Sequence, residues 1–209
     1  TFSVIPQMPG GVTSPAQLRK IADVAEKYNV PLVKLTGGQR IDLLGVKKED
    51  LPNVWRDLGM PSGFAYGKRY RTCKSCVGVE FCRFGLGDSM GLAQKVEQRF
   101  QGLDTPGKLK LATAGCPRNC SEALCKDVGA VAVEGGKWEV YVGGAAGVSP
   151  STSRPAIVNA CDSSSVVIRG STKLLSQDSG NSMVLYVLNR LGPRPAACSR
   201  RIHRRCSLR

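Results

Sequence analysis

Histidine is nearly missing from this sequence: the one copy, His203, lies in an arginine-rich C-terminal stretch. Histidine-based triads, imidazole-ligated zinc and His-ligated haem therefore have no candidate residue in the body of the chain. No apolar run approaches the ~20 residues of a membrane-spanning helix, so membrane residence is not expected. Aromatics are only 6% of the 209 residues, which argues against stacking platforms for single-stranded nucleic acid. A signal peptide is also absent from the reading, since Thr1 to Asn29 looks like a strand followed by an amphipathic helix. The first residue is Thr rather than Met, which points to a piece of a longer chain. Glutamate is missing from residues 149–209, which hold twelve Ser and ten Lys or Arg against two Asp. That stretch carries +8 of the net +14, so the charge is mostly a property of the tail and not of a nucleic-acid-binding face.

Cysteine, by contrast, is abundant. Nine are present, an odd number that does not close a disulfide framework. Six of them (Cys73, Cys76, Cys82, Cys116, Cys120 and Cys125) fall within about fifty residues. Without a secretory leader, such clustering favours metal over disulfides and a cytoplasmic location.

Along the chain, Phe2 to Pro6 reads as a strand and Ser14-Pro15 as a helix start, with Leu18, Ile21, Ala22, Ala25 and Tyr28 on one face. Pro31 to Thr36 and Arg40 to Val46 read as strands, and Glu49 to Leu58 as a short helix closed by Gly59. The order β-α-β-β-α is most of a ferredoxin-like split motif, which a strand around Ala65 to Thr72 would complete. A Cys- and Gly-rich loop follows, then a helix from Asp88 to Gln101 and a strand from Lys108 to Ala112. Cys116 to Lys126 reads as a loop entering a short helix, and Val128 to Val142 as a hairpin turning at Gly135-Gly136. After Gly147 the periodicity fails, and residues 149–209 read as an atypical basic tail, disordered or translated in a shifted frame.

Two cysteine pairs carry the chemistry: Cys76 and Cys82 in a C-x5-C spacing, and Cys116 and Cys120 in a C-x3-C spacing after Gly115. Two short loops that each give two thiolates suit a cubane iron–sulfur cluster. A helix mouth at the second pair would favour thiolate charge. Cys73-x2-Cys76 also resembles half of a four-cysteine zinc site, so on spacing zinc stays open. Gly85-Leu-Gly87-Asp-Ser-Met-Gly91 has the wrong spacing and context for dinucleotide binding.

The stretch Thr72-Cys-Lys-Ser-Cys-Val-Gly-Val-Glu-Phe-Cys-Arg-Phe-Gly, followed by Gly115-Cys-Pro-Arg-Asn-Cys-Ser-Glu-Ala, closely resembles the nitrite and sulfite reductase family. Pro9-Gly-Gly-Val, Thr36-Gly-Gly-Gln-Arg and Tyr141-Val-Gly-Gly extend the resemblance from about Phe2 to Gly147, and within the family the chain resembles the large subunit of bacterial NAD(P)H nitrite reductase. The resemblance implies an α+β architecture: a ferredoxin-like half-domain over 1–66, then a [4Fe–4S] and sirohaem domain over 67–148, with 149–209 outside it. It implies a [4Fe–4S] cluster on Cys76, Cys82, Cys116 and Cys120, with Cys120 shared with the sirohaem iron. Cys73 and Cys125 stand outside that pattern, and Cys161, Cys198 and Cys206 outside the resemblance.

The same resemblance implies six-electron reduction of nitrite to ammonium, as in nitrate assimilation, or of sulfite as the near neighbour. Lys108 and Lys110 would face the sirohaem, with Arg71, Arg83, Arg40 and Gln39 as further contacts to nitrite or cofactor. On spacing alone, paired lysines on a strand are more often a solvated face, and only the resemblance reverses that. FAD and NAD(P)H would belong to an upstream region outside this chain, so electrons would come from a flavin domain or a small subunit. Such enzymes use two repeats around one cofactor, which makes a second copy, as a homodimer, or other missing chain part of the expected site. Two departures stand out: Gln7 where relatives commonly carry Arg, implying weaker nitrite binding or compensation elsewhere, and Gly107 where they often carry His. The competing reading is a zinc- or cluster-stabilised module whose basic tail binds nucleic acid.

Overall fold

The computed structural model describes residues 1–144 and the backbone of residues 154–161 and 165–169. The first unit runs β1 (Phe2–Val4), α1 (Pro15–Lys27), β2 (Leu32–Leu35), β3 (Ile41–Val46) and α2 (Leu51–Leu58). Its antiparallel sheet has the order β1-β3-β2, with β3 central. Local chemistry sets the helix ends. Ser14 forms a complete capping box with Gln17 ahead of Pro15, and Gly59 closes α2 in the left-handed region at φ 60°. Val4, Leu43 and Val54 are fully buried where sheet and helices meet. Ile21, Val24 and Ala25 are the buried residues of α1, whereas Leu18 is 44% exposed, so the helix buries a stripe displaced from the expected one. β2 is an edge strand with all four residues exposed.

The expected strand at Ala65 to Thr72 does not form. Its backbone pairs instead with the second unit: Tyr70 N–H donates to Leu103 O (3.0 Å), Arg71 N–H to Leu109 O (2.8 Å), and Leu109 N–H to Arg69 O (3.2 Å). Tyr70 is buried in the second core beside Phe100, ring centroids 6.0 Å apart. Burying that aromatic side chain there draws the segment away from the first sheet.

The second unit contains β4 (Lys74–Ser75), α3 (Gly78–Phe81), α4 (Ser89–Phe100), β5 (Leu111–Ala114), β6 (Val128–Val133) and β7 (Lys137–Val142). β4, β5 and β6 are parallel, and β6 and β7 form the expected antiparallel hairpin. The strand expected from Lys108 begins three residues later, at Leu111, because the Arg69 carbonyl and the Asp127 carboxylate take the backbone amides of Leu109 and Lys110 into other pairings. The alternation survives that shift: Leu109 is buried and both lysines are exposed. The helix expected within Cys116 to Lys126 is only a 3-10 turn at Ala123–Cys125. Left-handed Asn119 (φ 56°) and Glu122 (φ 59°) break the run before it.

Past Gly144, β8 (Arg154–Cys161) pairs antiparallel with β7, and β9 (Ser165–Arg169) with β8. The expectation that nothing after 148 joins the fold is corrected for these two segments. Its remaining part lies outside the described residues.

Candidate functional site: two cysteine loops beside a basic cleft

Cys76 follows β4, Cys82 closes α3, Cys116 follows β5, and Cys120 precedes the 3-10 turn. The two loops are laced together by backbone. Leu86 and Gly87 N–H both donate to Gly115 O (2.7 and 3.1 Å), and Val79 N–H donates to Gly87 O (3.0 Å). Ser89 Oγ accepts Cys76 N–H (3.3 Å) and reaches Thr113 O at 2.7 Å. Glycine is required at 115. A Cβ there would stand 2.7 Å from Gly78 Cα and 3.0 Å from Gly87 O. That close approach lets Gly115 N–H donate to Cys76 Sγ at 3.1 Å. Across the loops, the Arg118 guanidinium lies 3.6 Å from the Phe84 ring centroid.

This donor set suits an iron–sulfur cluster. Among the described residues no three His, Cys, Asp or Glu converge on a point that one metal ion could occupy. Cys76, Cys82, Cys116 and Cys120 stand on two adjoining loops, and a cubane cluster takes one thiolate per iron. In the first pair, Cys76 Sγ accepts the Gly115 amide, and at the second pair a 3-10 turn stands where the sequence suggested a helix mouth. Cys73 is a core residue, 0% exposed, its thiol pushed up to about 12 by burial. Cys125 sits half-buried in the 3-10 turn.

A cleft of about 490 Å³ opens beside β4 and β5, and six cations line it: Arg40, Arg71, Lys74, Lys108, Lys110 and Lys126. Arg40 reaches it over Gly38, where a Cβ would approach its guanidinium to 3.1 Å. Arg71 is anchored by donating to Phe64 O (3.2 Å) and Gly67 O (3.0 Å). Burial lowers the proton affinity of Arg40, and burial and then repulsion by Arg40 lower that of Arg71, yet guanidinium starts so basic that both stay charged at neutral pH. Lys74 and Lys126 both reach Glu122 at 3.1 Å, and hydrogen bonds from these two lysines lower the carboxyl's pKa. Asp127 holds the lysine segment by accepting Lys110 N–H at 2.7 Å. Six cations line the cleft and no carboxylate is among its lining residues, with Glu122 and Asp127 beside it, so its balance of charge suits anions.

The cleft thus brings together Lys108, Lys110, Arg71 and Arg40 of the residues singled out from the sequence. It does not bring in Arg83, whose guanidinium is exposed and lies 4.5 Å from the Phe84 centroid. Gln39 is engaged elsewhere, its amide bonded to the backbone of Ser75. Gln7 is buried and hydrogen-bonds Glu97 and Gln101. Sequence reasoning missed Lys74, Lys126 and Glu122. Lys74 and Lys126 each adjoin a cysteine and Glu122 lies two residues past Cys120, a signal that singles out no charge.

Residues 1–60 match the family described as nitrite/sulfite reductase ferredoxin-like half domain, and residues 66–169 match the nitrite and sulphite reductase 4Fe-4S domain. The second match takes in β8 and β9, so the resemblance does not stop at 148 as the sequence suggested. The chain is 63% identical over 147 residues to a nitrite reductase [NAD(P)H] of Bacillus subtilis, covering 70% of this chain and 18% of that protein. It is 46% identical over 153 residues to the nitrite reductase (NADH) large subunit of Escherichia coli, covering 72% of this chain and 18% of the relative. An assimilatory-type sulfite reductase of Nitratidesulfovibrio vulgaris is 38% identical over 150 residues, covering 72% of this chain and 68% of its own length. The solved structure of the NirA protein of Mycobacterium tuberculosis shares the fold, with TM-score 0.66 at 20% identity over 75% of this chain and 30% of that one. The chain therefore spans under a fifth of the nitrite reductases it matches and most of the sulfite reductase. On these matches, and on the cysteine loops and half-domain described above, the chain belongs to the nitrite and sulfite reductase family.

Proposed function

We propose that this chain is the part of an assimilatory NAD(P)H nitrite reductase in which nitrite is reduced to ammonium. The observation that carries the reading is the six-cation cleft lying directly against the strand that leads into the first cysteine pair. Cys76, Cys82, Cys116 and Cys120 would hold a [4Fe–4S] cluster, with Cys120 shared with sirohaem and Arg40 among the residues facing the cofactor's carboxylates. Together these groups supply single electrons and an open coordination position to a small anion.

The chain's own residues do the rest. Nitrite takes up six electrons and eight protons and leaves as ammonium and two waters, so the site must hold an anion and deliver protons repeatedly. Lys108, Lys110 and Arg71 hold the anion and offset charge on its oxygens, where one such group is typically worth about 3 kcal/mol. With no histidine among residues 1–202, the lysine ammonium groups are the available donors. Electrons would come from a flavin domain or a small subunit, using NAD(P)H and FAD bound outside this chain. The full protein is expected in the cytoplasm, with a second copy of this unit, as in a homodimer, completing the cofactor site. Sulfite is the second substrate to weigh, because of the sulfite reductase relative, and both anions suit a basic cleft.

The test uses the full-length enzyme produced with sirohaem available. Strong visible absorption, iron and acid-labile sulfide should accompany nitrite turnover that exceeds sulfite turnover. Lys108→Ala and Lys110→Ala should each lose about a hundredfold in rate while keeping their cofactors. A colourless, zinc-loaded protein would overturn the reading.

A further inference from the structure

The segment that delivers the first cysteine pair is held by residues of the half-domain and of α4 that the cleft does not use. Ser75, immediately before Cys76, is gripped at both backbone atoms by one side chain. Its N–H donates to Gln39 Oε1 at 2.8 Å, and its carbonyl accepts Gln39 Nε2 at 2.7 Å. The Ser75 hydroxyl donates to Gly10 O at 2.6 Å. At the other end of the segment, Glu97 Oε2 accepts Cys73 N–H (3.1 Å) and Gly10 N–H (3.3 Å), while its Oε1 accepts Gln7 Nε2 (3.2 Å). Glu97 is only 2% exposed, so these donors replace the water it gave up.

Two backbone features show that the arrangement is built and not incidental. Gln39 sits at φ 58°, a region that residues with a Cβ enter rarely. A Cβ on Gly11 would stand 2.8 Å from Gln39 Oε1, so the turn closes over this amide only because position 11 is glycine.

We infer that Gln39 and Glu97 are positioning residues for the cysteine site. Through them the half-domain fixes residues 73–76, and with that segment the Cys76 thiolate against the Gly115 amide. The inference rests on the reading of Cys76 as a cluster ligand. Hydrogen bonds to cluster sulfur help set reduction potential. Loosening the segment should therefore weaken the Gly115 contact, lower the potential and loosen the cluster, while leaving Lys108, Lys110 and Arg71, which hold the anion, in place.

The test compares wild-type, Gln39→Ala and Gln39→Glu in the full-length holoenzyme. Gln39→Glu keeps the size of the side chain but sets an oxygen against the Ser75 carbonyl, so it reads out the same grip if the alanine variant does not fold. Gln39→Ala should lose iron to a chelator about twenty-fivefold faster than wild-type, since a lost hydrogen bond is worth about fivefold and the two multiply, and Gln39→Glu, which keeps the acceptor for Ser75 N–H, about fivefold faster. Their cluster midpoint potential, followed by electron paramagnetic resonance, should fall, and KM for nitrite should stay within about twofold of wild-type. Glu97→Gln should show the same pattern. A raised KM with unchanged potential and iron retention would make Gln39 a substrate or sirohaem contact and overturn the inference. A wild-type enzyme with no cluster signal would instead overturn the reading of the cysteines themselves.

Discussion

Between Phe2 and Leu58, ten buried apolar residues form one cluster, with Val4, Leu43 and Val54 wholly out of water. Between Tyr70 and Val142, apolar burial is split between two clusters, and the one nearest the second cysteine pair consists of Ala112, Ala114, Ala123 and Val131. What holds the second region together around the cysteines is polar: buried Ser89, Thr113 and Ser121, and backbone bonds that converge on Gly115. Burying a large aliphatic side chain gives about 1.5–3 kcal/mol, and an alanine methyl much less. The half-domain can thus draw its stability from its own core. The cysteine region spends its sequence on close approach and on sulfur, leaving Val77, Val79 and Phe81 half or more exposed. It should gain stability from what it binds, as any site does that prefers the folded state.

The strongest way to break that contrast is to remove core from the first region. Leu43→Ala should cost about 2–5 kcal/mol, as buried Leu→Ala changes do. Thermal unfolding should show the loss equally with and without reconstituted cofactor. If cofactor rescued this variant, the half-domain would not be the self-sufficient part.

Gly115→Ala probes the other side of the comparison. The new methyl would meet two backbone atoms, Gly78 Cα and Gly87 O, which cannot rotate away. Overpacking of this kind costs about 1–3 kcal/mol, and here it also separates the Gly115 amide from Cys76 Sγ. Cluster content by iron and sulfide assay should fall sharply while the half-domain's melting stays near wild-type. Unchanged cluster content would show that the two loops need not approach this closely.

The same contrast explains how much could be read in advance. Elements whose signals are local were legible: the Ser14-Pro15 helix start, Gly59 as a stop, the Gly135-Gly136 hairpin, and the alternation that exposes Lys108 and Lys110 around buried Leu109. What failed depended on partners distant in sequence. The 65–72 strand was lost because residues 103–109 take up its hydrogen bonds, and the 116–126 helix because Asn119 and Glu122 adopt left-handed backbone. In the site, the motif singled out the paired cysteines, and Arg71 stands in one cleft with Lys108 and Lys110. Gln39 and Arg83, expected at the cofactor, lie outside the cleft lining, one bonded to the Ser75 backbone and the other over the Phe84 ring. Lys74, Lys126 and Glu122 were invisible because only the fold sets the three together.

The smallest expected effect sharpens the comparison from the half-domain's surface. Asp57 on α2 clasps α1 by accepting from Lys27 Nζ at 2.6 Å and from Tyr28 Oη at 2.7 Å. The Lys27 hydrogen bond, and then that of Tyr28, lower its carboxyl pKa to about 2. An unfolded chain would hold this carboxyl near its ordinary value of about 3.9. Because folding depresses the pKa, the clasp contributes fully above about pH 4, and the contribution is lost as pH falls through the folded value near 2. The pair is solvent-exposed, so the gain is modest and screened by salt. Asp57→Asn should therefore melt slightly below wild-type at pH 7, with the gap narrowing in high salt and closing between about pH 4 and pH 2. Cluster content at pH 7 should be untouched, because no bond of this clasp reaches the cysteine loops. A gap that persists at pH 2 would mean that the variant acts through packing and not through charge. Lost cluster at pH 7 would mean that the α1–α2 face supports the second region as well as the first.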